Sequence, residues 1–341
     1  MDNLCHSLVG AALSAAGLRR RTALATATMV IGANLPDVDA LIYLVGGSAD
    51  GLAFRRGWTH GILAMAVLPL ILTGIMLGVG LWQARRRARA NRPENRIRLR
   101  VGGLLLVSAL SIWSHPLFDL LNTYGVRLLM PFSSRWFYGD TLFIIDPWVW
   151  SALGAGGVMS LIRARRVPVG AESAKVMARV HRPARFALIA VGAYIAMMAI
   201  SSRIGRVLVE RQAVAARRPP ALRVMVAPEP LTPVTRTVVR DLGLTYETGT
   251  LRWSFPPRYE VTGQPIPTLR DTTLGTIDTA TAPRAVRNFL VWARFPFRDV
   301  TSAGDSIAIR LDDARYARPG RASSFASVTI AGFRPPVRPP Q

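Results

Sequence analysis

The stretch GILAMAVLPLILTGIMLGVGLW, residues 61–82, is 22 residues long and carries no charge. As a helix it extends about 33 Å at ~1.5 Å per residue, enough to cross a bilayer. Arg85, Arg86, Arg87, Arg89, Arg92, Arg96, Arg98 and Arg100 follow at once, opposed only by Glu94. An apolar run closed by a block of cations is a stop-transfer pattern, and the positive-inside rule puts that block in the cytoplasm.

Other apolar runs lie on either side. Residues 101–113 are apolar and lead into 114–121; residues 147–162 are uncharged and end in Arg163, Arg165 and Arg166. Residues 186–202 are uncharged between Arg185 and Arg203. Towards the N-terminus, residues 4–18 and 22–35 are apolar and separated by Arg19, Arg20 and Arg21. Both are short for independent spans, so they are expected to form a helical hairpin or re-entrant pair supported by the other helices. Asp2 stands where a cleavable signal would carry cations, and no such signal is expected. With the Arg blocks inside, the helices alternate and residues after about 205 fall outside; Arg206, Arg211, Arg217 and Arg218 weigh against that last step.

Composition agrees with a membrane protein. The chain has 341 residues, half of them hydrophobic, a net charge of +23 and one cysteine, Cys5. A lone cysteine excludes an internal disulfide, and the apolar content excludes a disordered chain. Residues 1–204 hold 23 basic and 9 acidic groups, with the basic ones gathered between apolar runs. That arrangement marks the cytoplasmic side of a bilayer, and no nucleic-acid partner is expected.

The expected architecture is an all-α multi-pass membrane domain over 1–205, followed by a small β-rich extramembrane domain over 221–333. Residues 206–220 read as a basic linker. Short β-favouring stretches at 222–227, 235–239, 251–255, 306–311 and 327–330 are separated by turn residues, as in antiparallel sheets. The tail 334–341, with four prolines in eight residues, reads as an extended end.

The scarce ionisable groups in the apolar half are the functional candidates. An ionisable side chain at the centre of a spanning helix costs about 2.5–3.5 kcal/mol on insertion scales, so its presence calls for a reason. His6, His60 and His115, with Asp37, Asp39, Asp119, Asp140 and Asp146, all fall at helix ends that the Arg-based topology puts on the outer side. His115 and Asp119 are four residues apart and share one helical face. Asn34-Leu-Pro-Asp37-Val-Asp39 breaks a helix at Pro36 and presents two carboxylates. Arg56-Gly-Trp-Thr-His60 puts an imidazole just before the 61–82 run. Singly these are ordinary helix-face pairs, turns and caps; together they suit a divalent-metal site. Cys5 reads as an apolar filler, and His181, in an Arg-rich loop, reads as unrelated.

His6, the Asn34–Asp39 motif, Arg56-Gly57-Trp58-Thr59-His60, His115-x-x-x-Asp119, Tyr124-Gly125, Pro131-Phe132-Ser133 and Asp140…Asp146-Pro147 resemble the YdjM-like inner-membrane proteins in order and spacing. The resemblance covers roughly residues 1–205, and the stretch 293–316 looks like the C-terminal part of longer members. It implies a metal-dependent hydrolase of the bacterial inner membrane with an undefined substrate. More distantly, the His/Asp order is similar to that of all-helical zinc-dependent phospholipases C, whose Trp start and full His set this chain lacks.

The expected function is therefore hydrolysis of a phosphoester or lipid-like substrate at the outer face. His6, Asp37, Asp39, His60, His115 and Asp119 are the candidate ligands of one or two ions, with zinc expected. Asp140 and Asp146 are candidates for general base or ligand partner, and Arg56 for contact with an anionic group. The alternative is a non-catalytic membrane protein that binds or transports a divalent cation.

Overall fold

The computed structural model describes residues 1–90, 97–168, 170–171, 173–270, 282–303, 306–317 and 327–333. The tail over 334–341 and residues 91–96 of the Arg-rich loop lie outside the described residues. The chain divides into two compact units: Met1–Asp39 with Arg56–Ile200, and Ala40–Arg55 with Ser201–Gln341.

The first unit is helical. Helix α1 (Asn3–Ala15) starts at Asp2, whose carboxylate accepts from the Leu4 and Cys5 amides and so satisfies donors that a helix start leaves open. After the Arg19–Arg21 turn come α2 (Ala25–Asn34) and a 3-10 turn (Leu35–Leu41). Helix α5 (Ile62–Arg89) is the expected 61–82 run, and its last turn carries Arg86, Arg87 and Arg89. Helices α6 (Val101–Leu120), α7 (Pro147–Arg165) and α8 (Ala174–Ala215) follow.

Among the described residues, four helical segments are long and apolar enough to cross a membrane: Ala25–Leu44, Ile62–Arg89, Val101–Leu120 and Ala174–Ala215. α1 has 13 residues, short of the ~20 a span needs. α7 has 19, but its tryptophans, glycines and serines lower its hydropathy. The apolar surface of α5 faces outward, with Leu70 61% and Ile75 55% exposed. Hydrocarbon solvates such a face; water does not.

Inside the unit, Cys5, Val9 and Ala12 of α1 pack with Leu153 of α7 and Val191 and Met198 of α8. Cys5 is thus the apolar filler it was read to be. Leu72 and Met76 of α5 meet Leu104 and Ile112 of α6, and Ala25 and Met29 of α2 meet Val107 of α6. α6 is the central helix, and it carries His115 and Asp119.

The second unit begins with α3 (Ile42–Val45) and α4 (Gly47–Phe54), which belong with the C-terminal part of the chain. Asp50 of α4 holds Arg284 at 3.0 Å and accepts from Asn288 at 2.6 Å, both on α9 (Arg284–Trp292). The segment read as a linker is helical as far as Ala215, because no proline interrupts α8 between Pro183 and Pro219. A five-stranded antiparallel sheet follows: β1 (Arg223–Glu229), β2 (Thr232–Asp241), β3 (Thr245–Arg252) and β4 (Arg258–Val261) lie in that order, and β5 (Ile266–Pro267) also pairs with β3. Strands β6 (Pro296–Ala303), β7 (Ser306–Asp313) and β8 (Val328–Phe333) form a second antiparallel sheet.

Successive side chains of a strand point to opposite faces. Met225, Ala227, Val239 and Tyr246 accordingly pack with Phe295, whereas Val226, Val238 and Leu251 pack on Val209 of α8. The first sheet is covered on both faces. The sequence expectation of helices first and β-structure after holds.

Candidate metal centre

Four segments of the first unit deliver the polar cluster. The 3-10 turn after α2 carries Asp37 and Asp39; α2 ends at Asn34, whose amide donates to Val30 O at 2.9 Å and Ser7 Oγ at 3.0 Å. The turn before α5 carries Arg56 and His60, with Arg56 in the left-handed region at φ 53°. That turn closes through His60 N–H to Gly57 O at 3.0 Å and Gly61 N–H to Gly57 O at 2.8 Å. Gly61 has to be a glycine, since a Cβ there would sit 2.3 Å from Met130 O. The last turns of α6 carry His115 and Asp119, and α1 carries His6.

Asp37, His60, His115 and Asp119 converge, all buried, with one ligand atom from each within 4.8 Å of the others. His115 Nε2 lies 3.1 Å from His60 Nε2. Asp119 Oδ2 is 3.3 Å from His60 Nε2 and 3.5 Å from His115 Nε2. Asp37 Oδ1 is 4.0 Å and 3.7 Å from the same two nitrogens. A tetrahedral ion with bonds of about 2.1 Å separates its ligands by about 3.4 Å, close to the mean of these edges.

The proton positions on the two imidazoles follow from their partners. His115 Nδ1 faces Ala33 O at 2.6 Å; a carbonyl only accepts, so Nδ1 carries the hydrogen. His60 Nδ1 faces Thr59 Oγ1 at 2.9 Å. That hydroxyl gives its own hydrogen to Asp39 Oδ2 at 3.0 Å, so it accepts from His60. In the neutral rings both Nε2 lone pairs therefore point at each other across 3.1 Å. Two facing lone pairs repel unless a proton or a cation stands between them. Nδ1 held by a carbonyl or a carboxylate-linked hydroxyl, with Nε2 left as donor, is the arrangement that supports metal-binding histidines. The group could hold a metal ion.

A family model described as YdjM inner membrane protein matches residues 1–205. The chain belongs to the YdjM inner membrane protein family. No curated protein and no solved structure matches it. The family match covers every residue of the cluster, and the family and the four apolar helices together make this a membrane protein.

The other candidates have definite places around the four. Asp39 is not one of the converging atoms; it accepts from Thr59 Oγ1 and from the Arg56 amide at 2.8 Å. His6 stacks on His115 with centroids 3.7 Å apart, and its Nε2 lies 3.4 Å from Asp119 Oδ1. The Met1 amino group also contacts Asp119 Oδ1. Arg56 is buried: its Nε meets Asp119 Oδ2 at 3.0 Å, and Nη1 donates to Asn122 Oδ1 at 3.0 Å. Its guanidinium lies 4.6 Å over the Tyr124 ring.

Asp146 is the N-cap of α7, accepting from the Trp148 and Val149 amides, and it also accepts from Tyr194 Oη at 3.2 Å. Asp140 is buried on a segment whose neighbours Thr141 and Leu142 donate to Leu121 O, at the end of α6 beyond Asp119. His181 donates through Nδ1 to Ala15 O at 2.7 Å and stays apart from the cluster.

Thr59 and Asn122 escape a reading based on titratable groups. Neither ionises, yet Thr59 fixes a tautomer and Asn122 holds Arg56. Their signal is adjacency: Thr59 precedes His60, and Asn122 follows Asp119 by three positions.

Proposed function

We propose that the protein is a membrane-bound metal-dependent hydrolase acting on a phosphoester or lipid-like substrate at the outer face of the inner membrane, with its C-terminal domain on that side. The observation that carries this reading is the pair of imidazole Nε2 atoms 3.1 Å apart, each with its Nδ1 hydrogen committed elsewhere. Asp37, His60, His115 and Asp119 would hold the ion, and the near-tetrahedral spacing of nitrogen and oxygen donors favours zinc. When bound, such an ion supplies Lewis acidity and an activated water.

The chain's own groups do the rest. Ala33 O and the Thr59–Asp39 pair keep both imidazoles in the ligating tautomer. Arg56 holds Asp119 in place and offsets its charge, a positioning role in place of contact with a substrate anion. Asp140, buried beside the end of α6, and Asp146, whose oxygens accept from the α7 amides and from Tyr194, are the candidates for general base or ligand partner. Ligands gathered at helix ends fit an enzyme facing one side better than a transporter, whose site lies near the bilayer midplane.

The test uses protein purified in detergent. Bound metal is measured for the wild type and for His60→Ala, His115→Ala and Asp119→Ala, alongside hydrolysis of a nitrophenyl phosphate ester and of phospholipid in mixed micelles. We expect close to one or two ions per chain, loss of metal in each variant, and metal-dependent turnover of at least one substrate. Metal retained in all three variants would overturn the site; stoichiometric metal without turnover of either substrate would leave a cation-binding protein.

A further inference from the structure

At the ends of α1, α2 and α6 away from the His/Asp cluster, a cavity of about 720 Å³ opens between the Arg19–Arg21 turn, residues 97–100 and the facing ends of α7 and α8. Arg19, Arg20, Arg98 and Arg100 line it, with Thr22 between them and Met177 on the apolar side. Among the described residues none that line it is acidic and none of the four arginines has a carboxylate partner; Glu94 and Glu172 lie outside the described residues. From Arg100 to His115 the distance along α6 is about 22 Å at ~1.5 Å per residue, so cavity and cluster are separate.

Two helices also begin here. α2 starts after Leu24 and α6 after Arg100, and neither N-cap provides a side-chain hydrogen bond. The first-turn residues Ala25, Thr26 and Ala27 of α2 form part of the wall. A helix start presents amide hydrogens without intrahelical acceptors and the positive end of the helix dipole. The segment that brings Arg98 and Arg100 to the cavity is pinned: Ala23 N–H donates to Arg98 O at 3.1 Å, and Arg100 N–H donates to Thr22 Oγ1 at 2.9 Å. Burial and the adjacent Arg20 charge pull the Arg19 guanidinium below its ordinary range. Four arginines without a carboxylate among the described residues, together with the positive start of α2, gather in one concavity and form a site for an anion with several acceptor oxygens.

We propose that this cavity binds a phosphate group, carried by an anionic phospholipid headgroup or present as free phosphate. Arg98 and Arg100 grip its oxygens and the α2 start donates to them, while the apolar side around Met177 accommodates the glycerol end of a lipid. By the positive-inside rule these arginines mark the cytoplasmic side, where basic pockets between spanning helices take lipid headgroups.

The two sources are separated by two assays on the full chain. Nanodiscs of phosphatidylcholine with graded phosphatidylglycerol, read by native mass spectrometry, report the lipid. Equilibrium dialysis of detergent-purified protein against inorganic phosphate reports the free ion. We expect saturable binding in at least one assay, weakened tenfold or more in the Arg98→Ala, Arg100→Ala double variant. Ala27→Asp is the second variant: it places a carboxylate at the third position of α2, which suits a helix start, and should abolish binding while leaving thermal stability equal or higher. No saturable binding in either assay, or wild-type affinity in both variants, overturns the proposal. Metal content at the His60–His115 cluster should be unchanged throughout, so failure of this site is distinguishable from failure of the metal centre.

Discussion

His60 shows how much of a site rests on a residue that touches no ligand. Its Nδ1 is held by Thr59, and Thr59 by Asp39. Asp39→Asn should weaken metal binding about 10–100-fold, the usual effect of losing an outer partner of a ligand histidine, without unfolding the protein. Competition with a calibrated chelator measures this; an unchanged affinity would show that Asp39 does not orient His60. Thr59→Val should act in the same direction. In the sequence, Asp37 and Asp39 look alike, two carboxylates in one short turn. Their division of labour depends on which side of that turn faces the imidazoles, and residue spacing does not encode that. His60, His115 and Asp119, by contrast, were legible because each is a costly group beside an apolar run.

At the scale of elements, α1 lies against α2 through Gly10, where a Cβ would come within 2.5 Å of Met29 O and 2.9 Å of Met29 C. Backbone cannot yield as a side-chain tip does, so Gly10→Val should cost about 1–3 kcal/mol, as overpacking does. The readout is a lower thermal midpoint in detergent, with Gly74→Ala as control: its site has no atom within 4 Å, and its midpoint should hold or rise.

In the β unit, Asp241 accepts from the Gly243 amide at 3.0 Å and pairs with Arg223 at 2.9 Å and Arg270 at 3.1 Å. Burial would raise its pKa, but those three partners hold it below the ordinary carboxylate range. The unfolded chain therefore binds the proton more readily. The stabilisation is complete above the unfolded pKa of ~3.9 and is lost as pH falls through the lower folded value. Asp241→Asn should lower stability near neutral pH and flatten this acid limb, a comparison read from denaturant unfolding between about pH 2 and 6. The runs that form α5, α6 and α8 were legible because hydrophobic runs are local signals. The run 22–35 reads as too short to span, yet Ala25–Leu44 is long and apolar enough because the helical path continues past Pro36; 147–162 reads as a span, yet α7 is not among the four candidates. Of the strands, the stretch 251–255 leaves β3 at Arg252. The allegiance of α3 and α4 was not legible, since their neighbour α9 lies more than 200 positions further along the chain.

For the whole molecule, sidedness is the property that function depends on. The Arg blocks imply an alternation in which α7 crosses along with α6 and α8, although α7 is not among the four apolar candidates. In that arrangement reporter fusions after residue 90 and after residue 230 should report opposite sides of the membrane; the same side for both would overturn it and leave α7 off the list of spans. Of the charge of +23, the Arg blocks of residues 1–204 stand beside apolar runs and imply a topology. They also contain the cavity arginines, which sequence alone does not separate from ordinary cytoplasmic flanks. The facing lone pairs of His60 and His115 have a last consequence, one of mass action. A cage that repels itself when empty makes its occupant part of the folding equilibrium. At a free-ion concentration 100 times the dissociation constant, that linkage adds about 2.7 kcal/mol to the native state. Thermal midpoints should climb with added metal and fall on chelation. If the cluster holds an ion in the cell, the abundance of this protein would then track metal supply, with starvation leaving the empty chain to proteolysis.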